Sequence, residues 1–468
     1  MPPRTSTDQA DAARINSQID DDLRREHEVL KRKRPREIKV MLLGQAESGK
    51  STLQKQFQFY YASQTLDRER PSWRPIVYFN ILKAVRMILS EVDYEYFSNS
   101  PASPLASSPS TASLASVARS KISAAAGYGT GSPAADPAWL MELSQLRNKL
   151  LPLVASEDAL ASELSGGVTV SGGRSGVFVR AGWQALNTAT RAWPLADIRH
   201  GGGGGAGPRA PVMMDIVAKT LDANQDEIED LWHHPGVRAL LATNKLRLEE
   251  YAALCPAPRP SRAFVSDGLR VCAWARAEDI LHVRLQTLGV KEHSFDINMG
   301  GINYNWLLYD VGGARGQRQA WVPYFEDATA IIFLAPISAY DQYLEEDPRT
   351  NRIDDSLQLF TSVCTNKLLH KAALVLMLNK TDLLRQKLEA GIKVRKYISS
   401  YGDRPNTYEE VSEYFRAHFI QVHRRKDVNR RPLFAHFTSM LDIKATQSII
   451  VNVNEAIMRR HMATVGLA

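Results

Sequence analysis

Cysteine is scarce. Three residues, Cys255, Cys272 and Cys364, occur among 468, at spacings that match no metal-ligand pattern and no even-numbered disulfide framework. A stapled scaffold is excluded, no zinc site is expected, and the thiols are expected to lie buried in a reducing, intracellular compartment. Long apolar runs are also missing: no segment approaches the ~18 uninterrupted apolar residues of a membrane-spanning helix. Met1-Pro-Pro-Arg-Thr has neither an apolar signal core nor a glycine at position 2, so secretion and N-terminal myristoylation are not expected. There is no internal repeat, and no acidic excess. The formal charge is +7, part of it in Lys31 to Arg34 and Arg36. Such a run is usually a solvated face; its alternative is contact with an acidic membrane surface or partner, and no nucleic-acid partner is expected. What is present is ordinary globular material: 44% hydrophobic residues over this length suffice for two or three domains with a sizeable core.

The strongest signal is Gly44-Gln-Ala-Glu-Ser-Gly49-Lys50-Ser51. It follows an apolar run, Ile38 to Leu43, and leads into Thr52-Leu53-Gln-Lys-Gln-Phe57, so strand, glycine-bounded loop and helix arrive in the order of a P-loop. Backbone N–H groups and the helix N-terminus would surround a β-phosphate, Lys50 would reach the β/γ oxygens, and Ser51 would offer its hydroxyl to Mg²⁺. A nucleoside triphosphate is the expected ligand.

Along the chain, residues 8 to 34 read as an amphipathic helix closed by Pro35. A break is expected at Pro71 to Pro75, then a helical stripe from Val77 to Leu89. Asn99 to Pro137 and Gly166 to Pro211 are dominated by small and breaker residues and offer no continuous core-forming face, so disorder is expected in both. Leu140, Leu143, Leu146, Leu150 and Val154 recur at helical spacing, with Pro152 set to kink or end that helix. Residues 213 to 254 are again helical, and His233-His234 reads as a surface or core pair without ligand company. From about residue 303, short apolar runs (Trp306 to Tyr309, Ala330 to Leu334, Leu374 to Leu378, Leu433 to Phe437) alternate with helices, which indicates an α/β fold with a mostly parallel, covered sheet. The expected organisation is an N-terminal helix (1–37), an α/β domain begun at 38–66 and resumed at 279–468, and an inserted helical domain at 67–278.

Asn379-Lys380-Thr381-Asp382 follows an apolar strand, which puts Asp382 at the sheet's carboxyl edge, where open α/β sheets bind ligands. A carboxylate there accepts from the ring N–H and exocyclic amine of guanine, an arrangement adenine cannot supply, while the Lys380 stem covers the base. Leaving the carboxylate unpaired would cost a few kcal/mol, about enough for strong discrimination. Asp310-Val-Gly-Gly313 also ends a strand; its carboxylate can hold Mg²⁺ through water while the Gly313 N–H approaches a γ-phosphate. A P-loop ATPase or kinase would have to explain away Asp382.

With these residues in order, the chain resembles the heterotrimeric G-protein α subunits over most of its length apart from the insertions. The resemblance is carried by Ile19 to Arg24, the P-loop, Asp279 to Gly289, Asp310 to Trp321, Glu345 to Arg352 and Asn379 to Asp382. It implies a P-loop, Ras-like GTPase domain with an inserted all-α domain, a GTP/GDP cycle with Mg²⁺, and a βγ dimer, receptor and effector as partners. It implies that Ser51 and Thr287 ligate the metal and that Arg284 is a built-in catalytic arginine. The implied nucleotide-binding set is Glu47, Ser48, Gly49, Lys50, Ser51, Thr52, Leu281, Arg284, Thr287, Asp310, Gly313, Asn379, Lys380, Asp382 and Met440. Residues 315 to 321 and 345 to 352 would be γ-phosphate-responsive switches, and Thr438-Ser439-Met440 would stand where relatives carry T-C-A, with Met440 bulky beside the base.

The chain departs from the pattern where hydrolysis is concerned. Ala314 stands where the family has the water-orienting glutamine, and Ala46 where G-A-G-E-S-G-K-S has its second glycine. A slow GTPase with a long-lived active state is expected; the alternative is a non-hydrolysing GTP-bound scaffold that recruits partners through its insertions. The family's N-terminal acylation signal is absent, so attachment to the cytoplasmic face of the plasma membrane would rest on the N-terminal helix, its basic run and a βγ partner. The C-terminal Ala463 to Ala468 lacks the cysteine and terminal aromatic of many relatives, and Ser266 to Glu278 reads as shortened.

Overall fold

The computed structural model describes residues 36–97, 137–165, 212–243, 245–246, 248, 277–283, 285, 287, 289–299, 301–344, 346–427 and 430–465. The expected N-terminal helix and basic run, the expected disordered insertions (except Pro137, which opens a helix), most of Ser266 to Glu278, Arg284 and the last three residues lie outside them.

Six strands form one sheet in the order β2-β3-β1-β4-β5-β6: β1 Glu37–Gly44, β2 Val290–Met299, β3 Ile302–Val311, β4 Ala330–Pro336, β5 Ala373–Asn379 and β6 Leu433–Thr438. All neighbours are parallel except β2 with β3. Every residue of β4 and β5 is buried, which is why these strands read as unbroken apolar runs: helices cover both faces. On one face Leu53 and Phe57 of α1 (Lys50–Tyr61) and Ile450, Val453 and Ile457 of α12 (Ile443–Val465) meet Val40, Leu42, Leu308, Ile332 and Val375. On the other, Phe360 of α9 (Arg352–Thr365) and Phe415 and Phe419 of α11 (Tyr408–Lys426) pack on Met41, Phe333 and Leu376.

The antiparallel edge strand β2 carries no apolar run and was not among the expected strands. Phe295 and Ile297 are buried while Glu292, Ser294, Asp296 and Asn298 face out, the alternation of a half-covered edge. Gly301 turns the chain back into β3 at φ +81.

The remaining helices are α2 Ser63–Val92, α3 Pro137–Ala155, α4 Glu157–Ser165, α5 Val212–Ala223, α6 Gln225–His233, α7 Pro235–Ala242, α8 Ala277–His282 and α10 Thr381–Glu389. Helices α2 to α8 contribute to a separate apolar cluster that includes Trp73, Phe79, Val85, Leu150, Leu231, Leu240 and Ile280. The break expected at Pro71 to Pro75 is not there: the chain breaks at Ala62 (φ −143) and α2 then runs on through both prolines. Burial of Trp73, Ile76 and Phe79 outweighs the N–H donors that the prolines lack. Pro152 lies inside α3, which ends three residues later. Of the histidine pair, His233 is exposed, whereas His234 is buried and caps α7, its Nδ1 accepting from the Gly236 N–H at 3.2 Å.

One lysine joins the two parts. Lys55 of α1 is 2% exposed; its Nζ donates to the carbonyls of Ile280 (2.8 Å) and Val283 (2.7 Å) and lies 4.6 Å from the centre of the Trp73 ring. Burial lowers its pKa to about 7, against an opposing pull from Asp310. Because the folded pKa lies below the unfolded one, the unfolded chain binds the extra proton above about pH 7, so this group makes stability rise with pH across that window. Lys55→Met should cost about 1–3 kcal/mol by leaving two carbonyls without their donor. In thermal unfolding, the gap between wild type and variant should widen from pH 7 to pH 9, since only the wild type carries the titration.

Candidate functional site

The loop between β1 and α1 turns back on itself through Gly44 (φ +145), Glu47 (φ +59) and Gly49 (φ +102). Neither glycine admits a side chain: a methyl at Gly44 would fall 2.4 Å from the Leu334 carbonyl oxygen, and one at Gly49 would fall 2.2 Å from Asn379 Nδ2. The N-terminus of α1 has no side-chain cap, so its first-turn N–H groups and its dipole are offered to the loop, the arrangement that receives phosphate. Lys50 is buried and its Nζ donates to the Gly44 carbonyl at 3.0 Å and to that of Gln45. Burial lowers its pKa to about 8, with Asp310 pulling the other way. Ser48 Oγ is buried with no hydrogen-bond partner among the described residues.

Three oxygens from three separate segments meet below the loop. Ser51 Oγ donates to Asp310 Oδ2 at 2.7 Å, Thr287 Oγ1 donates to the same atom at 2.9 Å, and the two hydroxyls are 2.9 Å apart. Asp310 is 3% exposed, and its Oδ1 has no hydrogen-bond partner among the described residues. Hard oxygen donors with one buried carboxylate oxygen unspent suit Mg²⁺. Gly313 presses on the P-loop: a methyl there would lie 2.4 Å from the Ala46 nitrogen.

Behind the loop lies a charged network that sequence reasoning missed. Asp355, at the start of α9, accepts from Arg318 (3.2 and 2.6 Å), from Arg315 Nε (3.0 Å) and from Gln45 Nε2. Gln45 also donates to the Arg352 carbonyl at 2.9 Å, and Arg352 pairs with Glu47 at 3.1 Å. Burial alone would raise the Asp355 pKa, but the bonds from Arg318 and Gln45 win and hold it below the usual range. The available signal was Gln45, which stands where the family pattern has alanine. The segment Arg315–Tyr324 is a 3₁₀ helix, anchored where Trp321 Nε1 donates to the Gly312 carbonyl at 2.9 Å.

At the carboxyl end of β5, Asn379 is buried; its Nδ2 donates to the Ser48 carbonyl at 2.8 Å and its Oδ1 accepts from Thr438 at 3.1 Å. Lys380 is left-handed (φ +65) and Asp382 lies half-buried in the first turn of α10. Thr381 Oγ1 donates to the Thr438 carbonyl at 3.1 Å. Met440 is buried in the cluster of Leu53 and Val453, and its carbonyl accepts from Gln56 at 2.9 Å; its bulk is turned into the core. Of the residues expected at the site, the P-loop set with Thr52, Thr287, Asp310 and Gly313 converge on the loop, while Asn379 to Asp382 and Met440 flank it. Leu281 is buried in α8, and Arg284 is outside the described residues.

This is the architecture of a P-loop nucleotide-binding α/β domain with an accompanying helical cluster. The family model of the G-protein alpha subunit matches residues 13–457, and the chain belongs to that family of guanine nucleotide-binding signal transducers. It is 31% identical to the guanine nucleotide-binding protein alpha-4 subunit of Mycosarcoma maydis, over 93% of this chain and 84% of that protein. It is 32% identical to the alpha-1 subunit of the same organism over 58% of this chain and 73% of that protein. Members of the family are generally GTPases that use GTP, GDP and Mg²⁺. No helix of the described residues is long and apolar enough to cross a membrane.

Asp355→Ala would leave two arginines and Gln45 without their shared acceptor at a site 1% exposed. A loss of about 3–5 kcal/mol is expected, measurable as a lowered denaturant midpoint at unchanged slope.

Proposed function

We propose that this chain is a slow GTP-hydrolysing switch whose GTP-bound state is long-lived. The observation that carries the reading is Ala314: at the N-terminus of the Arg315–Tyr324 segment stands a methyl that can neither donate to nor accept from an attacking water. The groups that would hold the nucleotide are meanwhile intact. Lys50 and the α1 N-terminus would meet the phosphates, Glu47, Ser48, Gly49 and Thr52 would complete the loop, and the Gly313 N–H would meet the γ-phosphate. Asp382 would select guanine, Lys380 would cover the base, Asn379 would hold the base loop to the P-loop, and the Met440 backbone would face the purine. Ser51 and Thr287 would hold Mg²⁺, with Asp310 behind them; the metal, when bound, supplies positive charge to the phosphoryl oxygens. Arg284 is assigned the built-in arginine, and Leu281 a place beside the nucleotide. The domain division at 37, 66 and 278, a βγ dimer, receptor and effector as partners, and peripheral attachment to the cytoplasmic face of the plasma membrane belong to the same reading.

The retention of Arg284, Thr287 and Ser51 in the sequence supports turnover over a dead scaffold. In single-turnover hydrolysis of preloaded GTP, Ala314→Gln should raise the rate by about 10- to 100-fold, within the range of one transition-state contact. Equal rates for the two proteins would reject a slow cycle caused by Ala314. In competition binding with Mg²⁺ present, Asp382→Asn should erase the preference for GTP over ATP, which is worth about 2–4 kcal/mol if the carboxylate reads the base; an unchanged preference would remove Asp382 from that role.

A further inference from the structure

The water-orienting group missing at residue 314 has a candidate replacement one turn further on. Gln317 lies in the Arg315–Tyr324 segment, its backbone N–H bonded to the Ala314 carbonyl at 3.0 Å. That turn folds the side chain back over Gly312 instead of out to solvent. A methyl built at Gly312 would fall 1.8 Å from Gln317 Oε1, 2.8 Å from its Cδ and 2.9 Å from the Thr287 carbonyl oxygen. The carboxamide and the Thr287 carbonyl therefore border the same small space. Gly312 itself is fixed there, its N–H donating to the Gly289 carbonyl at 2.8 Å and its carbonyl accepting from Trp321 at 2.9 Å. No described residue hydrogen-bonds the Gln317 carboxamide, although the neighbouring Arg315 and Arg318 are engaged with Asp355. The residue is half-buried, so an uncommitted donor and acceptor lies beside Gly312 and the carbonyl of Thr287, whose own hydroxyl meets Ser51 and Asp310.

We propose that Gln317 orients the attacking water in this chain, a role that rests on the GTPase reading above. A water placed between Gln317 Oε1 and the Thr287 carbonyl would have an acceptor for each of its protons, which leaves an oxygen lone pair free to face the γ-phosphorus. In the reaction, the water oxygen forms a bond to phosphorus. The bond from phosphorus to the β–γ bridging oxygen breaks with its electron pair passing to GDP, and the water's proton ends on phosphate oxygen. Gln317 is neutral and unchanged throughout; it contributes orientation alone.

The test uses the full chain and compares wild type, Gln317→Ala, Gln317→Asn, Ala314→Gln and Ala314→Gln/Gln317→Ala. Single-turnover GTP hydrolysis, affinity for slowly hydrolysed GTPγS, and the Trp fluorescence change produced by GDP with aluminium fluoride, a mimic of the transferring phosphoryl group, are measured for each. Gln317→Ala and the shorter Gln317→Asn should slow hydrolysis by about 10- to 100-fold and abolish the aluminium fluoride response, with GTPγS affinity unchanged. The same Gln317→Ala change in the Ala314→Gln background should have less than about a twofold effect, because the glutamine at 314 then holds the water. Wild-type hydrolysis in Gln317→Ala, lost GTPγS affinity in both Gln317 variants, or no wild-type turnover above the spontaneous rate would each overturn the proposal. Equal rates in wild type and Ala314→Gln would instead refute the slow-cycle reading, and the Gln317 comparison would still be read on its own.

Discussion

The site depends on the absence of three side chains. At Gly44, Gly49 and Gly313 the backbone is approached so closely by Leu334, Asn379 and Ala46 that a single methyl would collide, at 2.4, 2.2 and 2.4 Å respectively. Two of the three also have positive φ, a conformation costly for any other residue. These contacts draw β1, β3, β4 and β5 to one point at their carboxyl ends, and the convergence brings Asp310 and Thr287, remote in sequence from the P-loop, against Ser51. Backbone proximity decides where the side-chain chemistry stands.

Asn379 shows how the two halves of the site are kept in register. Its amide bonds the Ser48 carbonyl, and its oxygen accepts from Thr438, so the loop that would grip phosphate and the loops that would flank the base cannot move independently. Such a buried, doubly satisfied amide is expensive to leave half-paired. Lys55 does the corresponding work on the other side, where α1 meets the segment from Ile280 to Val283. The P-loop helix is thereby the common member of both couplings. A displacement of α1 would loosen the phosphate loop and the approach to Thr287 together.

The central strands were legible because burial on both faces leaves them uniformly apolar, and four of them begin and end within a few residues of the expected limits. β2 was not, because an edge strand covered on one side spends half its positions on polar residues, and Lys291 to Asn298 contains only two strongly buried apolar side chains. The continuity of α2 was misread for a different reason: proline weakens a helix locally, but whether it breaks depends on tertiary burial that no local window contains. At the site, the tight turn after β1 and the helix that follows it are legible from the spacing of Gly44 and Gly49. The Gln45–Asp355–Arg318 cluster is not, since its members come from three segments brought together only by folding, and an acidic residue inside an amphipathic helix looks like any solvated one.

That cluster bears on how the switch is set. Asp355 serves Arg315 and Arg318 from the Arg315–Tyr324 segment and Gln45 from the P-loop at once, so α9, the P-loop and the segment after Gly313 share one carboxylate. An alanine at position 45 could not take part; the glutamine adds bonds from the loop to Asp355 and to the Arg352 carbonyl. A ligand shifts a conformational equilibrium only by its differential affinity for the two states, so any rearrangement of the Arg315–Tyr324 segment has to break or carry along the bonds that meet at Asp355. The proposed slow cycle and this shared carboxylate therefore meet in one place, since the segment that opens with Ala314 is the one Asp355 holds to the P-loop.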